Sequence, residues 1–327
     1  MSNILSRIHT HFHGIIGQTV AKSRLEGIIA GAAMEKGFMA PAVILAPPGL
    51  GKTKMLEAAK AATRGVLNRK VLSFASGSEM GSPTVFFEDV LVPHVHDKDV
   101  MMVVDEFHEA HKGVQNIIRS MVEISTARHV KTVSRGDMTV DVHPNRFSLL
   151  IATNKVDTID SALMSRLERI DLALYSDEEM EKILFQGLGE SGITFNDNTL
   201  RSLAECNRGS ARDVVKWANA VRRHVAIAGK MTVNKQDCKE IIREREHFPR
   251  GVTKNELSTL LSLEKAGDLQ LKELAARHLC SSAEQMANEN YLLQKGFLTI
   301  IGKRHLPHAG REYLATLRAD GFIPARD

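Results

Sequence analysis

Four short runs of the chain are almost unbroken in apolar residues: 41–46, 71–75, 100–104 and 147–152. Runs this short and continuous predict strands buried on both faces, the pattern of a parallel sheet covered by helices on either side. Between them, residues 52–63 and 114–125 carry apolar side chains at helical spacing and supply the crossovers. From 176 onward the strand signal stops, and 177–188, 198–206, 210–227 and 235–245 read as a helical lid. His247-Phe-Pro-Arg-Gly251 combines a proline and a glycine, the punctuation of a boundary. Beyond it, 254–265, 271–279 and 282–295 are three short amphipathic helices, the last opened by Ser281 and Ser282 with Glu284 and Gln285 placed to close a capping box. After Gly296, residues 297–301 alternate as a strand, Gly302-Lys-Arg304 turns, and 305–307 return. Three helices and a hairpin predict a winged helix. The expected fold class is therefore α/β, with a parallel-sheet core at 1–175, a helical lid at 176–246 and a winged helix at 247–327.

Bulk properties narrow this picture. A length of 327 residues suits two or three compact units. With 25% charged and 43% hydrophobic residues, a disordered or fibrous chain is excluded. Cys206, Cys238 and Cys280 lie far apart without a CxxC pair, which removes a disulfide framework and a zinc ribbon and points to a reducing compartment. No apolar run reaches the roughly 18–20 residues of a membrane span and the first 13 residues lack an apolar leader, so no membrane partner and a cytoplasmic location are expected. The net charge of +4 is too small to require a polyanion. All of the positive excess lies beyond residue 195, however, so a polyanion should prefer the C-terminal part.

The chemistry concentrates where predicted strands end. Ala46-Pro-Pro-Gly-Leu-Gly-Lys-Thr53 follows one strand and precedes a helix, the context of a phosphate-binding P-loop. Pro48, Gly49, Leu50 and Gly51 would wrap the phosphates of ATP, Lys52 would reach the β and γ oxygens, and the Thr53 hydroxyl would ligate Mg²⁺. The usual first glycine is Ala46 here, a position that ends the strand and should accept alanine. Asp105 and Glu106 close a buried strand, where two carboxylates need a cation; Asp105 is read as a water-mediated Mg²⁺ holder and Glu106 as the base for the attacking water. Asn154 ends the next buried strand and is placed as a γ-phosphate sensor. Arg166 and Arg169 would share one face if their segment is helical. Arg166 is read as a finger entering a neighbouring subunit's site. Arg212, at the start of a lid helix, would report the γ-phosphate to the lid. His9, His11 and His13 would face one way on a strand and offer a metal three imidazoles, but they read better as a polar extension beside the nucleotide pocket.

Taken in order, these motifs resemble those of the RuvB Holliday-junction branch-migration motors of the AAA+ class. Gly14-Ile-Ile-Gly-Gln18 resembles the family's entry motif, which implies that Ile15 and Ile16 pack on adenine. Asp105-Glu-Phe-His108, Arg208-Gly-Ser-Ala-Arg212 and Glu289-Asn-Tyr-Leu-Leu-Gln-Lys-Gly-Phe-Leu298 resemble later family blocks. The resemblance implies an ATPase that forms a homo-hexameric ring and moves duplex or branched DNA in recombination and repair. It also places Lys303 and Arg304 of the wing on the phosphate backbone. Residues 127–144 resemble the hairpin that grips a RuvA partner, made more polar here by Lys131, Arg135 and Asp137. Two departures stand out: Asn154 replaces the family's usual threonine, and the wing is less arginine-rich. An ATP-dependent switch or loader that assembles on DNA without translocating shares every motif, and a protein remodeller using the winged helix as a dock stays open.

Overall fold

The structure, a computed structural model, describes residues 2–35, 37–122 and 129–325. The chain divides into two compact units, one of 1–179 with 210–212 and one of 180–209 with 213–327.

The first unit is built on β1 (Ala42–Leu45), β2 (Lys70–Phe74), β3 (Val100–Val104), β6 (Phe147–Thr153) and β7 (Glu168–Asp171), in the order β2-β3-β6-β1-β7. Every pairing is parallel, as the apolar runs predict. β1, β3 and β6 hold the three central positions and are buried along their whole length. β2 differs from expectation: it is an edge strand whose residues are exposed or half-buried. At the other edge, β7 buries only Ile170, so it carries no apolar run to betray it. Arg169 consequently lies in a strand, and the shared helical face expected for Arg166 and Arg169 does not form.

Alternate side chains of the central strands feed two cores, because the strand period is two. Ile44, Met101 and Leu150 pack under α1 (Ser2–Phe12), α2 (Thr19–Met34) and α3 (Lys52–Leu67), through Ile8, Phe12, Leu25 and Met55. Val43, Met102 and Leu149 pack against α6 (Lys112–Met121) and the segment α4 (Pro83–Val85), a π-helical turn Phe86–Leu91, and α5 (Val92–His94). In that segment the Val92 N–H bonds the Phe87 carbonyl five residues back. Pro93 has no N–H for the Asp89 carbonyl, which favours the wider turn. Residues 2–12 form helix α1, packed through Ile8 and Phe12, so His9 and His11 lie on a helix and not on a strand. His9 bonds Glu26 at 2.9 Å, and among the described residues none of the three early histidines joins a metal-binding cluster. β4 (Lys131–Arg135) and β5 (Met138–Val142) form an antiparallel hairpin before β6. The expected helix at 114–125 ends at Met121, with 123–125, like the start of the 127–144 stretch, outside the described residues.

Apart from the first three residues of α8 and the first two of α10, which belong to the first unit, α8 (Asp177–Leu188), α9 (Thr199–Glu205), α10 (Ala211–Ala228) and α11 (Lys235–Glu244) lie in the second unit and follow the predicted helices to within two residues. The two-residue strands β8 (Thr194–Phe195) and β9 (Thr232–Val233) are additions. β10 (His247–Phe248) and β11 (Val252–Thr253) bracket the proline-glycine turn, whose Pro249 carbonyl accepts the Tyr313 hydroxyl at 2.7 Å. Then come α12 (Lys254–Ala266), α13 (Leu271–Arg277), α14 (Ser282–Gln294), the hairpin β12 (Thr299–Ile301) and β13 (Lys303–His305), and an additional helix, α15 (His308–Ala319). The Ser281–Glu284 capping box opens α14 as its spacing predicts. Leu257, Leu260, Leu274, Leu292 and Leu314 fill this core. Most of α8–α11 and these later elements fall in one unit, where the expected boundary at 246–247 does not appear, and Arg208 ties them by stacking 3.6 Å over the Tyr291 ring and bonding Glu256 at 2.8 Å.

Candidate functional site

The loop between β1 and α3 is shaped by residues far away in sequence. Gly49 and Gly51 have φ of +87° and +92°, which side-chain-bearing residues rarely adopt. A Cβ on Gly49 would lie 2.6 Å from the Ser210 Oγ, and one on Gly51 would lie 2.9 Å from the Tyr175 hydroxyl. Ala46 keeps a negative φ and donates its N–H to the Thr153 carbonyl at 3.3 Å, so it continues the strand and has no need of glycine. The loop carbonyls are engaged: Gly49 accepts the Ala211 N–H at 2.9 Å and Leu50 accepts the Tyr175 hydroxyl at 3.0 Å. Burial raises the pKa of that phenol and keeps it a donor. Lys52, only 6% exposed, spans the loop and donates to the Ala46 carbonyl at 2.9 Å. Among the described residues, no acceptor meets the N–H groups of Gly49, Leu50, Gly51, Lys52 or Thr53. Five unpaired donors at a helix N-terminus form an anion cradle.

The acidic pair lies against this cradle. The Thr53 hydroxyl donates to Asp105 Oδ2 at 2.8 Å, and Asp105 Oδ1 accepts the Glu106 N–H at 2.9 Å. Glu106 leaves the strand in a left-handed conformation, φ 42° and ψ 47°, a strain of about 1–3 kcal/mol of the sort found at functional sites. Its Oε1 stands 3.9 Å from Lys52 Nζ. Glu106 Oε2 and Asn154 Oδ1 are both buried without a hydrogen-bond partner. Buried polar groups are nearly always paired, so these two oxygens, at the ends of β3 and β6, are free to take a ligand's hydrogen bonds.

Comparison with known proteins decides the family. The description "Holliday junction DNA helicase RuvB P-loop domain" matches residues 8–172, half of the chain. The chain belongs to the RuvB family. It is 26% identical over 312 residues to the Limosilactobacillus reuteri Holliday junction branch migration complex subunit RuvB, covering 91% of this chain and 89% of that one. The Fervidobacterium nodosum subunit is 24% identical over 288 residues, 86% of this chain and 81% of its own. The solved Thermotoga maritima RuvB Holliday junction branch migration motor superposes with a TM-score of 0.65 at 20% identity, over 92% of this chain and 95% of that chain. A mutant of the same protein reaches 0.67 at 21% identity, over 93% and 97%. These likenesses establish the fold.

Within this RuvB-family chain the predicted residues fall into two groups. Lys52, Thr53, Asp105, Glu106 and Asn154 sit at the adjoining ends of β1, β3 and β6. Arg212 is exposed, one residue beyond the Ala211 amide that bonds the loop. Ile15 and Ile16 are half-buried, and Gln18 fixes their segment by exchanging two hydrogen bonds with Ala173, at 2.8 and 2.9 Å. Arg166 stays apart, half-buried and donating to the Arg119 carbonyl at 3.0 Å. In the second unit Lys303 is exposed, as a phosphate contact requires. Arg304 is not: it is buried, and its Nε donates to both oxygens of buried Glu289, at 3.0 and 3.2 Å. The reading of Arg304 as a DNA contact is corrected, since its charge is consumed inside the unit. Glu289, quoted for its family resemblance, is the buried partner. Tyr175 leaves no local pattern in the sequence, and Ser210 and Gln18 stand there only inside motifs: Tyr175 and Gln18 act through backbone atoms of distant residues, and Ser210 through the space its Oγ takes beside Gly49. His108 was quoted only as part of a motif.

Proposed function

We propose that this chain is an ATP-driven motor that moves duplex DNA and migrates the branch of Holliday junctions. The observation that carries the reading is that a loop of five unpaired amides after β1 and two orphaned oxygens, on Glu106 and Asn154 after β3 and β6, lie at adjoining strand ends, with Glu106 3.9 Å from Lys52. The amides and Lys52 fit a triphosphate, Lys52 exchanging its bond to the Ala46 carbonyl for phosphate oxygens. Thr53 and Asp105, already 2.8 Å apart, are the residues that would hold Mg²⁺, whose charge when bound offsets that of the phosphates. Asn154 would orient the attacking water and Glu106 would take its proton as the water oxygen bonds the γ-phosphorus and the β–γ bridge breaks, leaving ADP and phosphate. Ile15 and Ile16 would flank the base, and Arg212 would follow the γ-phosphate.

Arg166, away from its own loop, fits a role in a neighbour's site within a hexameric ring, with the Arg119 carbonyl aiming it. Lys303 remains the wing's phosphate contact. The β4–β5 hairpin, exposed at Arg135, Gly136 and Asp137, would receive a RuvA-like accessory protein through polar as well as apolar contacts. The test is a labelled four-way junction incubated with ATP, with and without such an accessory protein, comparing wild type with Glu106→Gln. Strand products from wild type alone support the motor. Wild type that hydrolyses ATP about once per assembly and yields no strand products points instead to a loader.

A further inference from the structure

We infer that His108 is the positioning residue for Glu106, tying the water-activating carboxylate to the strand that carries Asn154. This rests on the proposed ATPase reading of the same site. His108 lies in the short turn Phe107–Glu109 after β3, with its side chain only 10% exposed. Its Nδ1 stands 3.4 Å from Glu106 Oε2 and 3.2 Å from the Thr153 Oγ1. Thr153 is fully buried, adjoins Asn154, and offers its carbonyl to Ala46 at the mouth of the phosphate loop. One imidazole nitrogen therefore stands between the base, the sensor strand and, through Thr153, the loop.

The chemistry of that nitrogen sets the consequence. Nδ1 carries at most one hydrogen, and two oxygens lie within reach of it. With the hydrogen on Thr153, Glu106 Oε2 is left without a donor; in this structure Thr153 Oγ1 is the nearer of the two oxygens and Oε2 has no hydrogen-bond partner. With the hydrogen on Glu106, the carboxylate is fixed, while the Thr153 hydroxyl can turn to the Lys155 carbonyl 3.5 Å away. A shift of a few tenths of an ångström at the end of β6, where Asn154 would engage the γ-phosphate, is enough to change the preferred acceptor. Glu106 needs such a hold because its backbone leaves the strand in a left-handed turn. Among the described residues no other side-chain donor approaches Oε2. His108 thus makes orientation of the base conditional on the position of the sensor strand.

Three variants of the full chain separate this role from packing. His108→Leu removes the nitrogen, His108→Asn keeps an amide nitrogen close to the Nδ1 position, and His108→Gln carries one out towards Nε2. The readouts are ATP turnover at saturating duplex DNA, binding of a non-hydrolysable ATP analogue, and thermal unfolding. Misplacement of a reacting group by about 1 Å costs about 100-fold, so His108→Leu should lower kcat about 10- to 100-fold. Analogue affinity should stay within about twofold, since no phosphate-binding group is touched. His108→Asn should recover most of kcat and His108→Gln should not. Unaltered kcat in His108→Leu overturns the inference, as does equal loss in the Asn and Gln variants or a parallel loss of analogue binding. If His108→Leu does not fold, the Asn and Gln pair alone decides. Wild type that fails to hydrolyse ATP would instead refute the ATPase reading on which the inference stands.

Discussion

Replacing Arg304 by alanine tests whether the second basic residue of the β12–β13 hairpin serves DNA or the fold. The structure gives the size of the effect. Glu289 has a side chain 1% exposed and accepts from two donors: the Arg304 Nε–H, shared between both oxygens, and the Gln285 amide, which reaches Oε1 at 3.1 Å. Removing one partner of a buried pair typically costs about 3–5 kcal/mol, because the other charge is left stranded. Gln285 still serves one oxygen, so about 3 kcal/mol, the lower end, is expected for Arg304→Ala. For a unit of about 150 residues this is about 6–12 °C in Tm. The assay is thermal and urea unfolding of the full chain by circular dichroism, beside titration of a labelled duplex across ionic strengths. Arg304→Ala/Glu289→Ala should recover part of the loss by removing the stranded charge. Lys303→Ala should leave Tm unmoved and lower the salt slope of DNA binding by about one. The reasoning is refuted if Arg304→Ala unfolds like wild type while its DNA affinity and salt slope fall.

Gly51→Ala should lower affinity for ATP at least about tenfold, because it adds a Cβ 2.9 Å from the Tyr175 hydroxyl at a φ of +92°; equilibrium binding of a fluorescent analogue measures this. Arg166→Ala should bind nucleotide yet hydrolyse it at least about 1000-fold more slowly. Mixing it with Lys52→Ala should restore some turnover if the arginine acts across an interface, and rings shown to be mixed but inactive would place it in its own site. Asp160 caps α7 (Ser161–Met164) before Arg166, and the Leu163 N–H, aided by Arg119, holds its carboxyl below the ordinary carboxylate range. A depressed acid contributes stability above its unfolded pKa, about 3.9, and loses it as pH falls through the folded value. The Tm gap between wild type and Asp160→Asn should therefore be present at pH 7 and close below about pH 4, as differential scanning calorimetry over that range would show.

What the sequence made legible follows from where information is local. Central strands flanked by helices need apolar residues on both faces, so β1, β3 and β6 are readable as runs, and the P-loop is readable because its glycines, lysine and threonine are consecutive. Edge strands escape that logic: β7 reads Glu-Arg-Ile-Asp with one buried side chain, which does not separate a strand from a helix. α1 carries Ile4, Ile8 and Phe12 at helical spacing, but His9, His11 and His13 superimpose a two-residue period on the same stretch. Arg304 shows the same limit in electrostatics. A basic residue in a turn is assigned to solvent or phosphate unless its partner is known, and Glu289 lies 15 residues upstream on α14. Tyr175 and Ser210 were hidden because their roles are defined by the space they leave for two glycines more than 100 residues away.

The central claim is that the loop of unpaired amides and the Asp105–Glu106 pair form an ATP-hydrolysing site coupled to DNA. The most direct test is steady-state ATP turnover of the 327-residue chain with and without four-way junction DNA, with Lys52→Ala as the control. The account predicts wild-type turnover that rises several-fold with junction DNA, and none in Lys52→Ala. Wild-type turnover that is absent, or indifferent to any DNA at low salt, would contradict it.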